Sequence, residues 1–285
     1  MRISELLKRR SPTLSLEVFP PKTSEKYEET AAAAKAIARL NPAFMSVTYG
    51  AGGGTSAYTT WIAAEIQREL GVPTLAHLTC VSSDREHVER MLRLYRENGI
   101  ENILALRGDL PADGTRSRDY AHAIDLIREI RSRGDFCLGG ACYPEGHIEC
   151  AHKSEDLIHL KEKVDAGLDF LTTQMFFNND VFYNFLYRAR EADIRVPVIA
   201  GIIPITSPRQ LSRSVAMSGT DVPQRFRAIV DFFGENPAAM KQAGIVYATE
   251  QIIDLLANGI RHIHVYTMNK PEVAEGIMRS LSAIL

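Results

Sequence analysis

The sequence has few cysteines, no long apolar run and no excess of either charge. No run approaches the ~20 consecutive apolar residues of a membrane span, and residues 1–12 lack the apolar stretch of a secretory signal. The four cysteines form no CxxC pair, so we expect reduced thiols and a cytoplasmic location. The 33 basic and 35 acidic residues argue against a dedicated surface for nucleic acid or an anionic membrane, since either needs a basic excess.

The composition that remains is that of a folded globular enzyme. Hydrophobic residues make up 45% and charged residues 24% of the 285 positions, which excludes disorder. Short apolar segments alternate with amphipathic helices in eight cycles at ~30-residue spacing, a pattern that predicts a parallel sheet with crossover helices. No GxGxxG follows the first strand, which disfavours a doubly wound open sheet.

We therefore predict that residues 1–285 form one α/β domain, a (β/α)8 TIM barrel, for which ~250 residues are typical. Residues 221–257 exceed the regular cycle and predict extra helices between units seven and eight. Ser83-Asp84 and Asn178 are expected to begin helices, and Gly99, Gly167 and Gly259 to follow helix ends.

Polar residues recur where the predicted strands end, which is the end of such a barrel that carries the active site. They are Glu17, Thr48, Tyr49, His77, Arg107 to Asp109, Tyr143, Glu145, His147, Gln174, Tyr266, Asn269 and Lys270. Glu17 stands between Leu16 and Val18 in a strand expected to be buried on both faces. Its carboxylate must either have a raised pKa, as a general acid does, or form a structural ion pair with an inward Arg or Lys.

Other segments leave two interpretations open. Arg107-Gly108-Asp109 suits either a heterocycle at a strand exit or a turn with an Arg-Asp pair. The loop Gly50 to Gly54 either cradles phosphate or is merely flexible, and His77 is either a cofactor ligand or a core histidine. His147, His152 and His159 match no metal signature, so no metal is expected.

One helix carries a polar stripe beside its apolar face. Asp156, His159 and Lys163 lie at i, i+3 and i+7. The stripe is either a solvated face or a holder for ribose hydroxyls and a pyrophosphate. Lys163 also suggests a Schiff-base aldolase, although such a lysine is expected on an inner strand.

Taken together, several segments resemble the methylenetetrahydrofolate reductase family, in the order and over nearly the whole length of its catalytic barrel. The matching segments are SLEVFPPKTS (15–24), SVTYGA (46–51), HLTC (77–80), ALRGDLP (105–111), YPEGH (143–147), LKEKVDAG (160–167), Thr173-Gln174 and YTMN (266–269). The chain stops after the eighth helix, so it resembles the barrel without the regulatory domain of eukaryotic members.

The resemblance implies a non-covalent FAD and reduction of 5,10-methylenetetrahydrofolate to 5-methyltetrahydrofolate. It implies that Glu17 is the general acid that opens the five-membered ring, and that Asp109 lies near the flavin pyrimidine edge and the pterin. Implied substrate-binding residues are Glu17, Asp109, Gln174, Gln210, Tyr266 and Lys270. Implied FAD-binding residues are Thr48, Tyr49, Ala51, His77, Arg107, Gly108, Asp109, Tyr120, Ala121, Tyr143, His147, Asp156, His159 and Lys163.

Four positions depart from well-known bacterial members and leave the electron donor open. His159 and Glu162 replace an Asn and an Arg, Ser214 replaces a stacking Phe, and Lys270 replaces an Arg with its bidentate fork. NADH, NADPH and an iron-sulfur partner subunit all remain compatible donors, and a homo-oligomer is expected. The competing hypotheses are a cofactor-free lyase or aldolase using Lys163 and a binding subunit without activity.

Overall fold

The chain folds into a closed barrel of eight parallel strands, seen in a computed structural model that describes residues 1–49, 56–110, 116–150 and 152–285. Neighbouring strands pair in chain order, and β1 also pairs with β8 to close the barrel. The strands are β1 Thr13–Val18, β2 Met45–Val47, β3 Thr74–Thr79, β4 Asn102–Leu106, β5 Cys137–Cys142, β6 Phe170–Thr173, β7 Val198–Ile202 and β8 His262–Tyr266. The predicted (β/α)8 barrel is confirmed.

Helices connect the strands, and a 3₁₀ turn at Ser24–Lys26 precedes the first long one. The helices are α1 Ile3–Leu6, α2 Tyr27–Ala38, α3 Ser56–Leu70, α4 Arg85–Glu97, α5 Ala123–Arg133, α6 Lys153–Asp165, α7 Asn179–Glu191, α8 Pro208–Ser218, α9 Gln224–Phe233, α10 Pro237–Ala257 and α11 Pro271–Ser280. None of the helices in the described ranges is long and apolar enough to cross a membrane.

Local sequence chemistry sets the helix ends as predicted. The Asp84 carboxylate accepts a hydrogen bond from the His87 N–H at 2.7 Å and caps α4, and Asn178 caps α7 in the same way. Gly99 and Gly259 follow α4 and α10 with φ of 69° and 83°, a region that glycine adopts without strain.

Alternation along each strand separates two environments. Leu14, Leu16 and Val18 of β1 pack outward in a large apolar cluster with Ala34 and Ile37 of α2. The intervening side chains point into the barrel, as the contacts of Glu17 with other strands described below show. The barrel interior is therefore lined by every second strand residue.

The helices between β7 and β8 include the extra ones that the sequence predicted. The long α10 packs against α7, β7 and α11, so it fills the place of the seventh outer helix. Its Gly244 touches the backbone after β7, where an added Cβ would lie 1.7 Å from the Ile205 carbonyl oxygen. Where a regular unit has one helix, α8, α9 and α10 stand between β7 and β8, so the predicted extra helices are confirmed. The helices α8 and α9 lie before α10 in the chain. They share a second apolar cluster with residues that follow β6 and β7.

Candidate active site

A carboxylate and two imidazoles meet inside the barrel near the C-terminal ends of the strands. The Glu17 Oε2 atom lies 3.3 Å from His264 Nε2 and 3.5 Å from His77 Nε2. The Ser46 hydroxyl lies 3.4 Å from the same oxygen and 2.7 Å from His77 Nε2. Glu17 is thus paired, with histidines rather than with the expected Arg or Lys, and its side chain is 16% exposed.

His264 is held between two residues of β1. The Ser15 hydroxyl lies 3.1 Å from the Ile263 carbonyl oxygen and 2.8 Å from His264 Nδ1. On the other side of the ring, Nε2 lies 3.3 Å from Glu17 Oε2. Both ring nitrogens of His264 are therefore within hydrogen-bond reach of a side chain of β1.

The pKa values around Glu17 differ from the expectation of a raised carboxyl pKa. Burial opposes ionisation of Glu17, but the hydrogen bond from His264, the two imidazoles and Ser46 outweigh it and lower its pKa. Burial lowers the pKa of His77 to about 4, against the attraction of Glu17. His77 is therefore neutral near pH 7, and its Nε2–H donates to Ser46.

Arg107 and Gly108 leave β4 at the same end of the barrel. Both terminal nitrogens of the Arg107 guanidinium lie 2.6 Å from a Glu149 carboxylate oxygen. Gly108 has a φ of 88°, and an added Cβ would lie 2.9 Å from the Thr79 Cβ, so the backbone approaches β3 closely. Asp109 is exposed at the mouth of the barrel. The Arg-Asp turn pair left open by the sequence is replaced by the Arg107–Glu149 pair.

Thr48 and Tyr49 follow β2 beside this site. The Thr48 N–H donates to the Val18 carbonyl at 3.0 Å, and the Tyr49 hydroxyl lies 2.7 Å from His87 Nε2 on α4. Burial raises the pKa of Tyr49 to about 12. Ala51 and the glycine-rich loop at 50–54 lie outside the described residues.

The residues of the predicted stripe on α6 do not share one environment. The Lys163 ammonium is buried and donates to the Ala141 carbonyl on β5 at 2.9 Å, and burial lowers its pKa. Asp156 is partly buried, and burial raises its pKa. His159 is exposed, with Nδ1 3.4 Å from the Glu162 carboxylate. His159 therefore lies on a solvated face, and Lys163 does not. Lys163 lies on α6 and not on an inner strand, where a Schiff-base lysine is expected.

Aromatic groups border the same region. The rings of Tyr143 and His147 meet edge to face with centroids 4.6 Å apart. Tyr120 and Ala121 precede α5, whose first residue is Ala123 rather than Tyr120 as expected. The Tyr120 hydroxyl is buried and has no hydrogen-bond partner within the described ranges. An orphaned buried donor of this kind is suited to a ligand.

The predicted substrate-binding residues other than Glu17 and Asp109 fall into two groups at or beyond the C-terminal ends of β6, β7 and β8. The Tyr266 hydroxyl donates to the Thr173 carbonyl at 2.6 Å, over Gly201, where an added Cβ would lie 2.7 Å from that hydroxyl. Gln174 is adjacent, and its N–H donates to the Cys142 carbonyl at 2.8 Å.

Gln210 and Lys270 are joined by a residue that the sequence interpretation missed. The Thr206 hydroxyl accepts from Lys270 Nζ at 2.7 Å and donates to Gln210 Oε1 at 3.0 Å. His264 and Ser46 were also missed. The alternation of side chains along β8 could have identified His264, because it lies two residues before Tyr266 and therefore on the same face of the strand.

Comparison with known proteins shows the family of this chain. The family model "Methylenetetrahydrofolate reductase" matches residues 2–282. "Methylenetetrahydrofolate reductase (NADH) 1" of Arabidopsis thaliana is 35% identical over 298 residues, covering 99% of this chain and 50% of the relative. "5,10-methylenetetrahydrofolate reductase" of Pectobacterium carotovorum is 35% identical over 268 residues, covering 94% of this chain and 89% of the relative. The chain thus spans about half the length of the plant relative.

A solved structure shares the fold over the whole chain. An uncharacterised protein from Clostridium thermocellum, described as binding two copies of 5-methyl-5,6,7,8-tetrahydrofolic acid, superposes with a TM-score of 0.68 at 16% sequence identity and covers 100% of both chains. At this identity the likeness concerns the fold alone. The family match over residues 2–282 and the 35% identity to the bacterial relative carry the assignment: this chain belongs to the methylenetetrahydrofolate reductase family.

Proposed function

We propose that this chain is a flavin-dependent oxidoreductase that reduces 5,10-methylenetetrahydrofolate to 5-methyltetrahydrofolate. The observation that carries the proposal is the buried Glu17–His264 pair at the active-site end of the barrel. A carboxyl group positioned in this way can act as the general acid that the ring opening needs. We also propose that residues 1–285 act as one catalytic domain.

The described residues fit FAD as the cofactor. The buried Tyr120 hydroxyl offers an unused donor, and Lys163 presents an ammonium that donates to the Ala141 carbonyl. Gly108 brings the backbone close to the β3–β4 exits without a side chain in the way. We propose that Thr48, Tyr49, His77, Arg107, Tyr143, His147 and Asp156 complete the FAD site, with Ala51, Ala121 and His159 beside them.

The proposed reaction divides between cofactor and protein. When bound, the reduced flavin supplies a hydride to the folate. The Glu17–His264 pair delivers its proton to N10 of the folate as the bond from N10 to the methylene carbon breaks, and that carbon then takes the hydride to become the N5-methyl group. Because Glu17 has a lowered pKa in the free protein, proton delivery requires that folate binding raise the pKa of its carboxyl group.

We propose that Asp109, Gln174, Gln210, Tyr266 and Lys270 hold the folate. Lys270 and Gln210 are already joined through Thr206, so one cation and one amide are presented together. A cation there suits the carboxylates of the substrate's glutamate tail. Asp109, exposed at the mouth, is free to accept hydrogen bonds from the pterin.

We propose a reduced nicotinamide nucleotide as the electron donor, since the name of the plant relative specifies NADH. Anaerobic stopped flow tests the whole scheme with FAD-loaded protein. NADH or NADPH should bleach the flavin absorbance, and methylenetetrahydrofolate should then restore it. Bleaching only by a reduced iron-sulfur protein would replace the nicotinamide donor, and failure of the folate to reoxidise the flavin would refute the proposed substrate. A cytosolic location and a homo-oligomer complete the proposal.

A further inference from the structure

An ion pair joins two loops at the active-site end of the barrel. Arg107 follows β4, and Glu149 lies in the connection between β5 and α6, 42 residues further along the chain. Both terminal guanidinium nitrogens contact a different carboxylate oxygen at 2.6 Å. This planar bidentate arrangement is the strongest form of an Arg–carboxylate contact.

The pair fixes the plane of the guanidinium and leaves part of it unused. The Arg107 Nε–H donates to the Gly108 carbonyl at 3.3 Å, so three of the five N–H groups of Arg107 are held. Within the described ranges, the remaining two N–H groups have no acceptor. They belong to a side chain that is 21% exposed.

The charge on Arg107 is also balanced by this contact. Asp109 and Tyr143 lie near enough to act on Arg107, and Glu149 makes the direct contact. The Arg107 guanidinium holds the pKa of the Glu149 carboxyl at about 2, so the carboxylate stays ionised throughout the neutral range.

We propose that Glu149 is a positioning residue for the flavin. Its carboxylate holds the Arg107 guanidinium in the plane from which the two unused N–H groups meet the cofactor. Its negative charge also offsets the positive charge that Arg107 presents to the anionic reduced flavin. This role of Glu149 rests on the proposed flavin chemistry. Through its contact with Arg107, Glu149 sets both the affinity for the flavin and the flavin's reduction potential.

The test compares FAD binding to apoprotein with the flavin midpoint potential. Glu149→Ala should weaken the binding of oxidised FAD about tenfold, because an unanchored guanidinium loses rotational freedom on binding. Glu149→Gln should lower the ratio of the dissociation constants for reduced and oxidised FAD about tenfold, which raises the two-electron potential by about 30 mV. Glu155→Gln, which removes an exposed carboxylate from α6, is the matched control and should change neither value.

A double-mutant cycle separates positioning from a general structural effect. In an Arg107→Gln background, Glu149→Gln should change FAD affinity by less than twofold, since its partner is gone. Equal effects of Glu149→Gln with and without Arg107, or values matching those of Glu155→Gln, would overturn the proposal. Tighter binding of oxidised FAD by Glu149→Gln would also overturn it, because the carboxylate would then compete with the cofactor. If the wild-type apoprotein fails to bind FAD, the proposed function itself is wrong.

Discussion

The two ends of the barrel interior differ in chemistry although the same strands build both. At the N-terminal end, inward residues such as Phe44, Leu104 and Phe170 form an apolar cluster closed by α1 through Ile3 and Leu6. At the C-terminal end, inward residues of the same alternating pattern include the polar Glu17, His77 and His264 described above. The N-terminal end therefore stabilises the fold, whereas the C-terminal end holds reactive polar groups at some cost in stability.

The short helix α1 anchors the stable end. The Ile3 N–H donates to the Asn102 side chain at 2.8 Å, and that side chain donates to the Thr74 carbonyl at 3.0 Å. The buried side chain of Asn102 therefore has hydrogen-bond partners at the N-terminal ends of β3 and β4. A substitution at this end should affect folding and spare chemistry, and a substitution at the other end should do the reverse.

The largest expected effect is on chemistry, from Glu17→Gln. Losing general acid catalysis should slow flavin reoxidation by methylenetetrahydrofolate by roughly 10²–10⁴-fold. Flavin reduction by the nicotinamide donor should stay within about twofold of wild type, and thermal stability should change little because Gln retains hydrogen bonds to its neighbours. Stopped-flow measurement of the two half-reactions provides the check. Equal slowing of both would contradict a proton-donor role specific to the folate.

At the opposite end, Phe170→Ala should act on stability. The ring is fully buried and lies against Gly139, where an added Cβ would be 2.5 Å from it. Its removal leaves a cavity that should cost about 3–5 kcal/mol of unfolding free energy. Urea unfolding measures this loss, with Phe232→Ala as control, since Phe232 is 80% exposed and its truncation should stay within about 0.5 kcal/mol.

The folded fraction of the Phe170→Ala variant should retain both half-reactions within about twofold, when assayed below its unfolding transition. A selective loss of the folate step in this variant would mean that the two ends are coupled, and the separation of roles drawn above would fail.

The lowered pKa of His77, at the C-terminal end of the barrel, predicts that the free energy of unfolding depends on pH. Its folded pKa of about 4 lies below the ordinary histidine value of 6.5, so the unfolded chain binds a proton first as the pH falls. The stability that neutral His77 contributes is present above pH 6.5 and is lost between pH 6.5 and 4, amounting to about 3 kcal/mol. Urea unfolding at several pH values should show a shallower acid slope in His77→Gln.

His262 provides the comparison at the N-terminal end. It pairs with the Thr13 hydroxyl at 2.9 Å, and burial lowers its pKa as well. His262→Gln should change the acid slope less than His77→Gln, because His262 is less enclosed by the barrel. An equal change of the acid slope in the two variants would contradict a larger contribution of His77 to the pH dependence of stability.

Sequence patterns predicted what is local and missed what barrel closure brings together. Strand order, the caps at Asp84 and Asn178, and the inward position of Glu17 follow from propensity and alternation over a few residues. The partner of Glu17 does not, because His264 is 247 residues away and meets it only when β8 pairs with β1.

The same limit applies to the outer layer and the loops. The role of α10 as the seventh outer helix depends on Gly244 fitting against Ile205, a contact that no local pattern encodes. The Arg107–Glu149 pair depends on how two separate strand exits are juxtaposed. Both are properties of the closed barrel rather than of any segment.

The smallest expected effect concerns cofactor retention at the polar end. If Lys163 contacts a phosphate of FAD, Lys163→Ala should weaken FAD binding about 10–100-fold, equivalent to roughly 1.5–3 kcal/mol. Purified variant should then be partly free of flavin, and excess FAD should restore turnover. Flavin content and activity, measured with and without added FAD, provide the check. Because Lys163 is buried against β5 and His159 is exposed on the same helix, His159→Ala is the matched control and should retain more flavin.

Each alternative role of Lys163 has its own outcome in that experiment. A Schiff-base lysine predicts complete inactivation that added FAD cannot repair, whereas a lysine that only tethers α6 to the Ala141 carbonyl predicts lower thermal stability with unchanged FAD affinity. Lys163→Met, which keeps most of the buried apolar stem, separates the tether from the phosphate contact. If Lys163→Met binds FAD as tightly as wild type, the positive charge of Lys163 has no part in holding the cofactor. The FAD site would then be formed by residues at the strand ends, without a contribution from the Lys163 charge on α6.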